Sequence, residues 1–302
     1  MRTVVALGGN ALMRPGERGS AAEQRANLRE TCEALRPLLD GDVVVTHGNG
    51  PQVGNELVRQ ERAADEVPPL PLYLAVAQTQ AEIGALIASE LAPIAGRPVV
   101  CILTHVRVDA DDTAFDEPTK PVGPFYSEEQ ARVLERDRGW AVREDAGRGW
   151  RRVVPSPRPL EVVEVDAVRA LVDTGTIAVA CGGGGIPTAA RNGRLSGIDA
   201  VIDKDRASAL LAIELGADRF VILTDVAAVY RGWGTPAQEP VDELTPEGAD
   251  ALLPELAAGS IAPKVEAASA FARASGQPAL ITSAAQLAEA LAGAAGTRVR
   301  PS

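Results

Sequence analysis

Short aliphatic runs alternate with longer helix-period stretches along most of this chain, and that alternation restricts the fold more than any other feature. The runs cover residues 3–7, 43–46, 99–103, 177–180, 220–223 and 279–281. Uninterrupted apolar runs of this length read as strands buried on both faces, as in a parallel sheet covered by helices. The intervening helices are expected over residues 21–39, 72–91, 162–173, 207–215, 265–275 and 284–291. Ser283 with Gln286 fits a capping box, and Thr245-Pro246-Glu247 sets a cap, a first-turn proline and an acid in order. The chain is therefore expected to be an α/β protein.

One segment departs from the alternation. Residues 113–159 turn polar and rich in proline and arginine, with two of the three tryptophans and one short helix signal at residues 127–130. We read it as an inserted lid or subdomain within a single domain spanning residues 1–302, against the plainer reading of a long surface loop. No repeat or low-complexity tract interrupts the chain.

Glycine clusters follow three of the strands: Gly8-Gly9-Asn10, Gly48-Asn49-Gly50 with Pro51 and Gly54 behind it, and Gly182 to Gly185. In a parallel sheet such loops gather at the carboxyl ends of the strands, where ligands bind. Glycine lets the backbone come close to a ligand, and amides leading into a helix attract anions. Tight strand-to-helix turns want glycine anyway, so the weight lies in three clusters at one edge. Neither a Walker phosphate loop nor a dinucleotide fingerprint occurs. Zinc-hydrolase and serine-hydrolase patterns are missing as well. Phosphoryl transfer assisted by backbone amides and cations remains.

The basic residues sharpen this reading. Of 30 Lys plus Arg, only Lys120, Lys204 and Lys264 are lysine. If arginine has replaced lysine wherever the two are interchangeable, the survivors mark places that need a compact ammonium. Point cations suit phosphoryl transfer, which depends mostly on positioning and charge stabilisation. The plainer reading makes them chance survivors at loop and helix-start positions. Asp205 could hold lysines in register or simply complement a helix dipole. His47, at a strand end, could be a base or an ordinary buried histidine; His105, Cys101 and Cys181 favour the structural reading. Thr224-Asp225 could touch a nucleotide or form a common turn.

Composition excludes other classes. A formal charge of -11 argues against nucleic-acid binding. No apolar run is long enough to span a bilayer, and the opening residues leave no room for a secretion signal. Three widely spaced cysteines in no metal pattern suggest reduced thiols and a cytoplasmic setting.

Taken together, Ala6-Leu7-Gly8-Gly9-Asn10-Ala11-Leu12, Thr46 through Gly54, Lys120-Pro121-Val122-Gly123-Pro124-Phe125-Tyr126 and Ala180 to Pro187 resemble the carbamate kinases, of the amino acid kinase superfamily. So do Val201-Ile202-Asp203-Lys204-Asp205, Leu223-Thr224-Asp225-Val226 and Gly259-Ser260 through Ala267, in the same order along essentially the whole chain. The resemblance implies a three-layer α/β/α sandwich around a mainly parallel sheet with a small protruding subdomain, in a homodimer. It also implies reversible, magnesium-assisted phosphoryl transfer between ATP and carbamate, giving ADP and carbamoyl phosphate, often run toward ATP in fermentative catabolism.

Carried over by position, Gly8, Gly9 and Asn10 would meet the transferring phosphoryl group, and Gly48, Asn49 and Gly50 the carbamate end. Lys120 and Lys204 would stabilise transition-state charge, with Asp205 orienting them. Lys264, Gly182, Gly183, Thr224, Asp225 and Tyr230 would serve the nucleotide. The resemblance names no metal ligand. Ile261 and Ala262 depart from the Met and Gly common in the nucleotide loop. The rival readings are a kinase of another acid in the same fold, a non-catalytic ligand sensor, and a dinucleotide-dependent reductase.

Overall fold

The computed structural model describes residues 1–145, 149–191, 193–256 and 261–301. An eight-stranded sheet forms its middle layer. Numbered in chain order, the strands are β1 (Arg2–Leu7), β2 (Asp42–His47), β3 (Val99–Cys101), β4 (Ile177–Val179), β5 (Arg219–Thr224), β6 (Glu243–Leu244), β7 (Ala279–Ser283) and β8 (Thr297–Val299). They lie in the order β6-β8-β7-β5-β1-β2-β4-β3. From β7 to β3 every pairing is parallel, whereas β8 runs antiparallel to β7 and carries β6 parallel to itself. The sheet is thus mainly parallel, as the apolar runs require.

Each run builds two cores because successive side chains leave opposite faces. Val4, Ala6, Val44, Phe220 and Ile222 enter one core, and Val5, Leu7, Val43, Val45 and Val221 enter the other. The helices are α1 (Ala21–Ala34), α2 (Gly50–Arg62), α3 (Leu72–Ala95), α4 (Glu128–Arg138), α5 (Val165–Asp173), α6 (Lys204–Glu214), α7 (Pro246–Leu252), α8 (Ala262–Ser275) and α9 (Leu287–Ala292). The first core is closed by α5, α6, α7 and α8, the second by α1, α3 and α9. This makes a three-layer α/β/α sandwich. Each large side chain buried in it contributes about 1.5–3 kcal/mol.

Several local expectations shift. Val162 belongs to a strand, Pro159–Val162, rather than to a helix, so α5 starts later. Helix α2 went unread because glycine and proline crowd its first turn, yet Pro51 falls in the first turn, where its lost N–H costs nothing. The Ser283 capping box is absent: Ser283 ends β7, its side chain makes no cap hydrogen bond, and a 3-10 turn precedes α9. The Thr245 cap is present, its hydroxyl accepting from the Gly248 N–H.

Three smaller sheets accompany the eight-stranded one: a two-stranded hairpin of Val229–Arg231 and Glu239–Val241, and two that involve the polar segment or its flanks. One joins Arg194–Gly197, Ile186–Arg191, His105–Val108 and Pro159–Val162 in that order. The other is antiparallel, with Trp150–Val154 between Lys120–Tyr126 and Ala141–Glu144, and α4 packs against it. The second lies within the polar segment and the first only flanks it through His105–Val108 and Pro159–Val162; the segment holds strands and a helix over its described residues, and 146–148 lie outside them. Arginines stack on its aromatic rings, Arg132 on Trp150 and Arg152 on Trp140, each 4.6 Å from the ring centroid.

Candidate active site

The two glycine loops nearest the sheet centre leave adjacent strands. After β1 the chain makes a tight 3-10 turn over Gly9–Ala11, with Gly9 and Asn10 exposed. Gly8 is constrained by its neighbour, since a β-carbon there would lie 2.6 Å from the Leu223 carbonyl oxygen of β5. After β2, Gly48 and Asn49 lead directly into α2, whose first-turn amides lack intrahelical partners and face no acidic side chain in that turn. Such a helix start favours an anion.

The three lysines meet beside these loops. Lys204 opens α6, and Lys264 lies in the first turn of α8. Both reach Asp205, at 2.5 and 3.2 Å respectively. Lys120 starts the first strand of the small antiparallel sheet and donates to Asp203 at 2.7 Å. Asp203 also caps α6, accepting from the Asp205 and Arg206 N–H groups. Three cations therefore face two carboxylates, a locally positive site in a strongly acidic chain. Asp205 contacts Lys204 and Lys264 rather than the expected pair Lys120 and Lys204, because Lys120 is held instead by Asp203, a residue outside the expected site. Its signal was local: an aspartate just before a helix, in cap position.

Electrostatics agree with this geometry. Burial alone would raise the Asp203 carboxyl, but the Lys120 ammonium and the helix amides hold it well below the carboxylate range. Burial lowers Lys204; Asp205 opposes the shift and Lys264 adds to it.

Lys204 also touches the second loop. A β-carbon on Gly48 would sit 3.4 Å from its Cδ, so the lysine stem runs along bare backbone. His47 is wholly buried, its Nδ1–H donating to the Gly48 carbonyl at 3.0 Å while Nε2 has no partner. Burial pushes it down to about 4, with the Gly48 carbonyl opposing and Lys204 assisting. It is a neutral, structural imidazole rather than a base near pH 7.

The third glycine cluster lies deeper. A β-carbon on Gly182 would stand 2.3 Å from His47 Nε2, and one on Gly183 would stand 2.2 Å from Asn49 Nδ2. Gly183 also has φ +65. Gly182 and Gly183 are buried behind the Gly48-Asn49 loop, where packing by itself accounts for glycine. Asn49 is fixed from the other side by Thr79, to whose hydroxyl it donates at 2.9 Å.

Beyond the lysines, the end of β5 opens on a cavity of about 170 Å³ lined by Asp225, Val226, Tyr230, Trp233, Leu256 and Ile261 among others. Thr224 borders Gly8 and donates to Asp225 at 3.0 Å. The Tyr230 and Trp233 rings pair at 5.3 Å between centroids. Trp233 and Leu256 carried no readable signal, because neither belongs to a motif. Gly259 and Ser260, part of the same loop, lie outside the described residues. His105 pairs with Glu164 at 2.7 Å, and Cys101 and Cys181 are free thiols. Burial raises both thiols, Cys181 far above its ordinary value, so neither is an activated nucleophile.

The amino acid kinase family model matches residues 1–283. A carbamate kinase of Halobacterium salinarum is 46% identical over 307 residues, covering 99% of this chain and 98% of that protein. Carbamate kinase of Giardia lamblia bound to citric acid superimposes with a TM-score of 0.93 at 40% identity, covering 100% of this chain and 98% of that one. The same enzyme bound to AMP-PNP gives a TM-score of 0.92 at 39% identity, with the same coverage.

Proposed function

Since the chain belongs to the amino acid kinase family, and within it to the carbamate kinases, we propose that it transfers a phosphoryl group reversibly between ATP and carbamate. The observation that carries this reading is the convergence of the only three lysines on Asp203 and Asp205, between the Gly48 loop and the cavity beside Tyr230.

Carbamate is already an anion, so attack on phosphorus needs no general base, and neutral His47 stays outside the chemistry. One carbamate oxygen bonds to the γ-phosphorus while the bond to the ADP oxygen breaks. Gly8, Gly9 and Asn10 meet the transferring group in this reading, and the Gly48-Asn49-Gly50 turn cradles the carbamate. Lys120 and Lys204 stabilise charge on the oxygens in flight, and Lys264 grips the nucleotide phosphates. The cavity lined by Tyr230 and by Asp225, next in the chain to Thr224, takes the nucleoside, while Gly182 and Gly183, expected from the resemblance to serve the nucleotide, support the carbamate turn from behind. In reverse, carbamoyl phosphate and ADP give ATP and carbamate, which decomposes to ammonia and carbon dioxide.

For magnesium the side chains form no ready cage. Among the described residues no group of three His, Cys, Asp or Glu could hold a metal, and Asp203 and Asp205 are engaged by lysines. The ion fits instead as a companion of the nucleotide, held mainly by phosphate oxygens and water. The polar segment fits a lid, because its first strand delivers Lys120 to the site.

A homodimer is supported by the outer edge of β3, unpaired among the described residues, where Val100 is 37% exposed and Leu103, just beyond the strand, is 47% exposed. Light scattering of purified protein should give twice the chain mass; a monomer at micromolar concentration would remove the dimer from this reading. No helix among the described residues is long and apolar enough to cross a membrane. Together with free thiols, this fits a cytoplasmic enzyme.

The deciding assay is ATP formation from ADP, carbamoyl phosphate and magnesium, run on the wild type and Lys204→Arg. Rapid synthesis that falls about tenfold or more in the variant, a barrier change of about 1.4 kcal/mol, is expected. Well-folded wild type that makes no ATP would favour a kinase of another acid.

A further inference from the structure

Another cavity lies remote from the lysines. It encloses about 300 Å³ at the amino-terminal edge of the sheet, and Arg219, Arg298 and Arg300 line it over a floor that includes Leu280 and Leu291. No acidic residue lines it, although the chain holds 41 Asp plus Glu and carries a net charge of -11. The lining therefore inverts the charge of the molecule locally. Arg219 opens β5, whose other end, Thr224, directly precedes Asp225 in the lining of the cavity assigned to the nucleoside. Five strand steps separate the two ends by roughly 17 Å.

The three guanidiniums are held differently. Arg298 donates to the Ala290 carbonyl at 2.6 Å and packs over Gly293, where a β-carbon would lie 3.2 Å from it. This fixes its plane at the cavity wall. Arg300 pairs with Glu243 at 2.8 Å on the exposed side, and Glu243 is not part of the lining. Arg219 makes no side-chain hydrogen bond or ion pair among the described residues. Cations gathered round one hollow repel one another, and a guanidinium without a carboxylate keeps its planar donor fork available. The apolar floor adds room for a short carbon skeleton.

We propose that this cavity binds a small organic anion with two or more negative charges, such as a polycarboxylate or a phosphate ester, at a site separate from phosphoryl transfer. Its chemistry is bidentate guanidinium recognition of carboxylate or phosphate oxygens, with the carbon body on Leu280 and Leu291.

The test is calorimetric titration of the full chain with malate and with glycerol 3-phosphate, in saturating AMP-PNP and magnesium so that the transfer site is filled. One anion per chain should bind the wild type, and Arg219→Gln should weaken it about tenfold or more, the size of one lost charge-assisted hydrogen bond. The tighter of the two ligands identifies carboxylate or phosphate as the preferred head group. ATP synthesis by Arg219→Gln should match wild type, since Arg219 lies at the opposite end of the strand. If Arg219→Gln does not fold, Arg300→Gln serves in its place, as its guanidinium is largely exposed. Binding heats equal in wild type and variant, or none with either anion, would overturn the proposal.

Discussion

A lysine at position 204 differs from an arginine there in shape more than in charge. Its stem lies against the bare backbone of Gly48, and its ammonium ends 2.5 Å from Asp205. A guanidinium is wider, planar and set one atom further out, so it cannot keep both contacts, which is the reason for expecting Lys204→Arg to fold but turn over slowly. His47 yields a different prediction. Its folded value of about 4 lies below the usual 6.5, so the unfolded chain binds the extra proton between those limits. The stability it contributes is complete above pH 6.5 and is lost as pH falls toward 4. The slope cannot exceed about 1.4 kcal/mol per pH unit for one proton. Urea unfolding between pH 6.5 and 5 should show this slope in wild type and a flatter one in His47→Gln; equal slopes would mean that His47 takes up its proton without unfolding.

At the scale of elements, the contact that matters most for the site is between α2 and the strand Lys120–Tyr126. A β-carbon on Gly54 would lie 2.5 Å from Gly123 Cα and 2.6 Å from its nitrogen, so backbone meets backbone there. Gly123 has φ +76, which an L side chain resists. Gly54→Ala must push the strand outward, and Lys120 at its start moves with it. We expect turnover to fall about tenfold or more through loss of one preorganised cation. The melting temperature should change little, because the sandwich cores are untouched. Comparison of kcat with the thermal midpoint checks this, and normal turnover would detach the strand's position from the chemistry. Gly54 could be seen in the sequence as part of a glycine cluster. Its partner could not, because nothing local connects residues 54 and 123.

At the scale of the whole molecule, the sheet and the helix layers are joined by large buried side chains. Phe220 on β5 meets Phe271 on α8 with ring centroids 5.6 Å apart, both wholly buried. Phe220→Ala should cost about 3–5 kcal/mol, measured by urea denaturation, because the close-packed layers cannot collapse into the space. A loss below about 1 kcal/mol would show that the layers close over the gap. The two-faced strands, the helices between them and the crowding of glycines at one edge were all legible in the sequence, since each follows from periodicity or backbone freedom within a few residues. The lysines were legible too, through their rarity. Only tertiary structure decided that Lys120 meets Asp203 across 83 positions, that Gly182 and Gly183 make room for His47 and Asn49, and that three arginines enclose one hollow. The physical reason is that a side chain's local pattern records which face it leaves from, whereas its partner is set by how the layers stack and where the crossovers return.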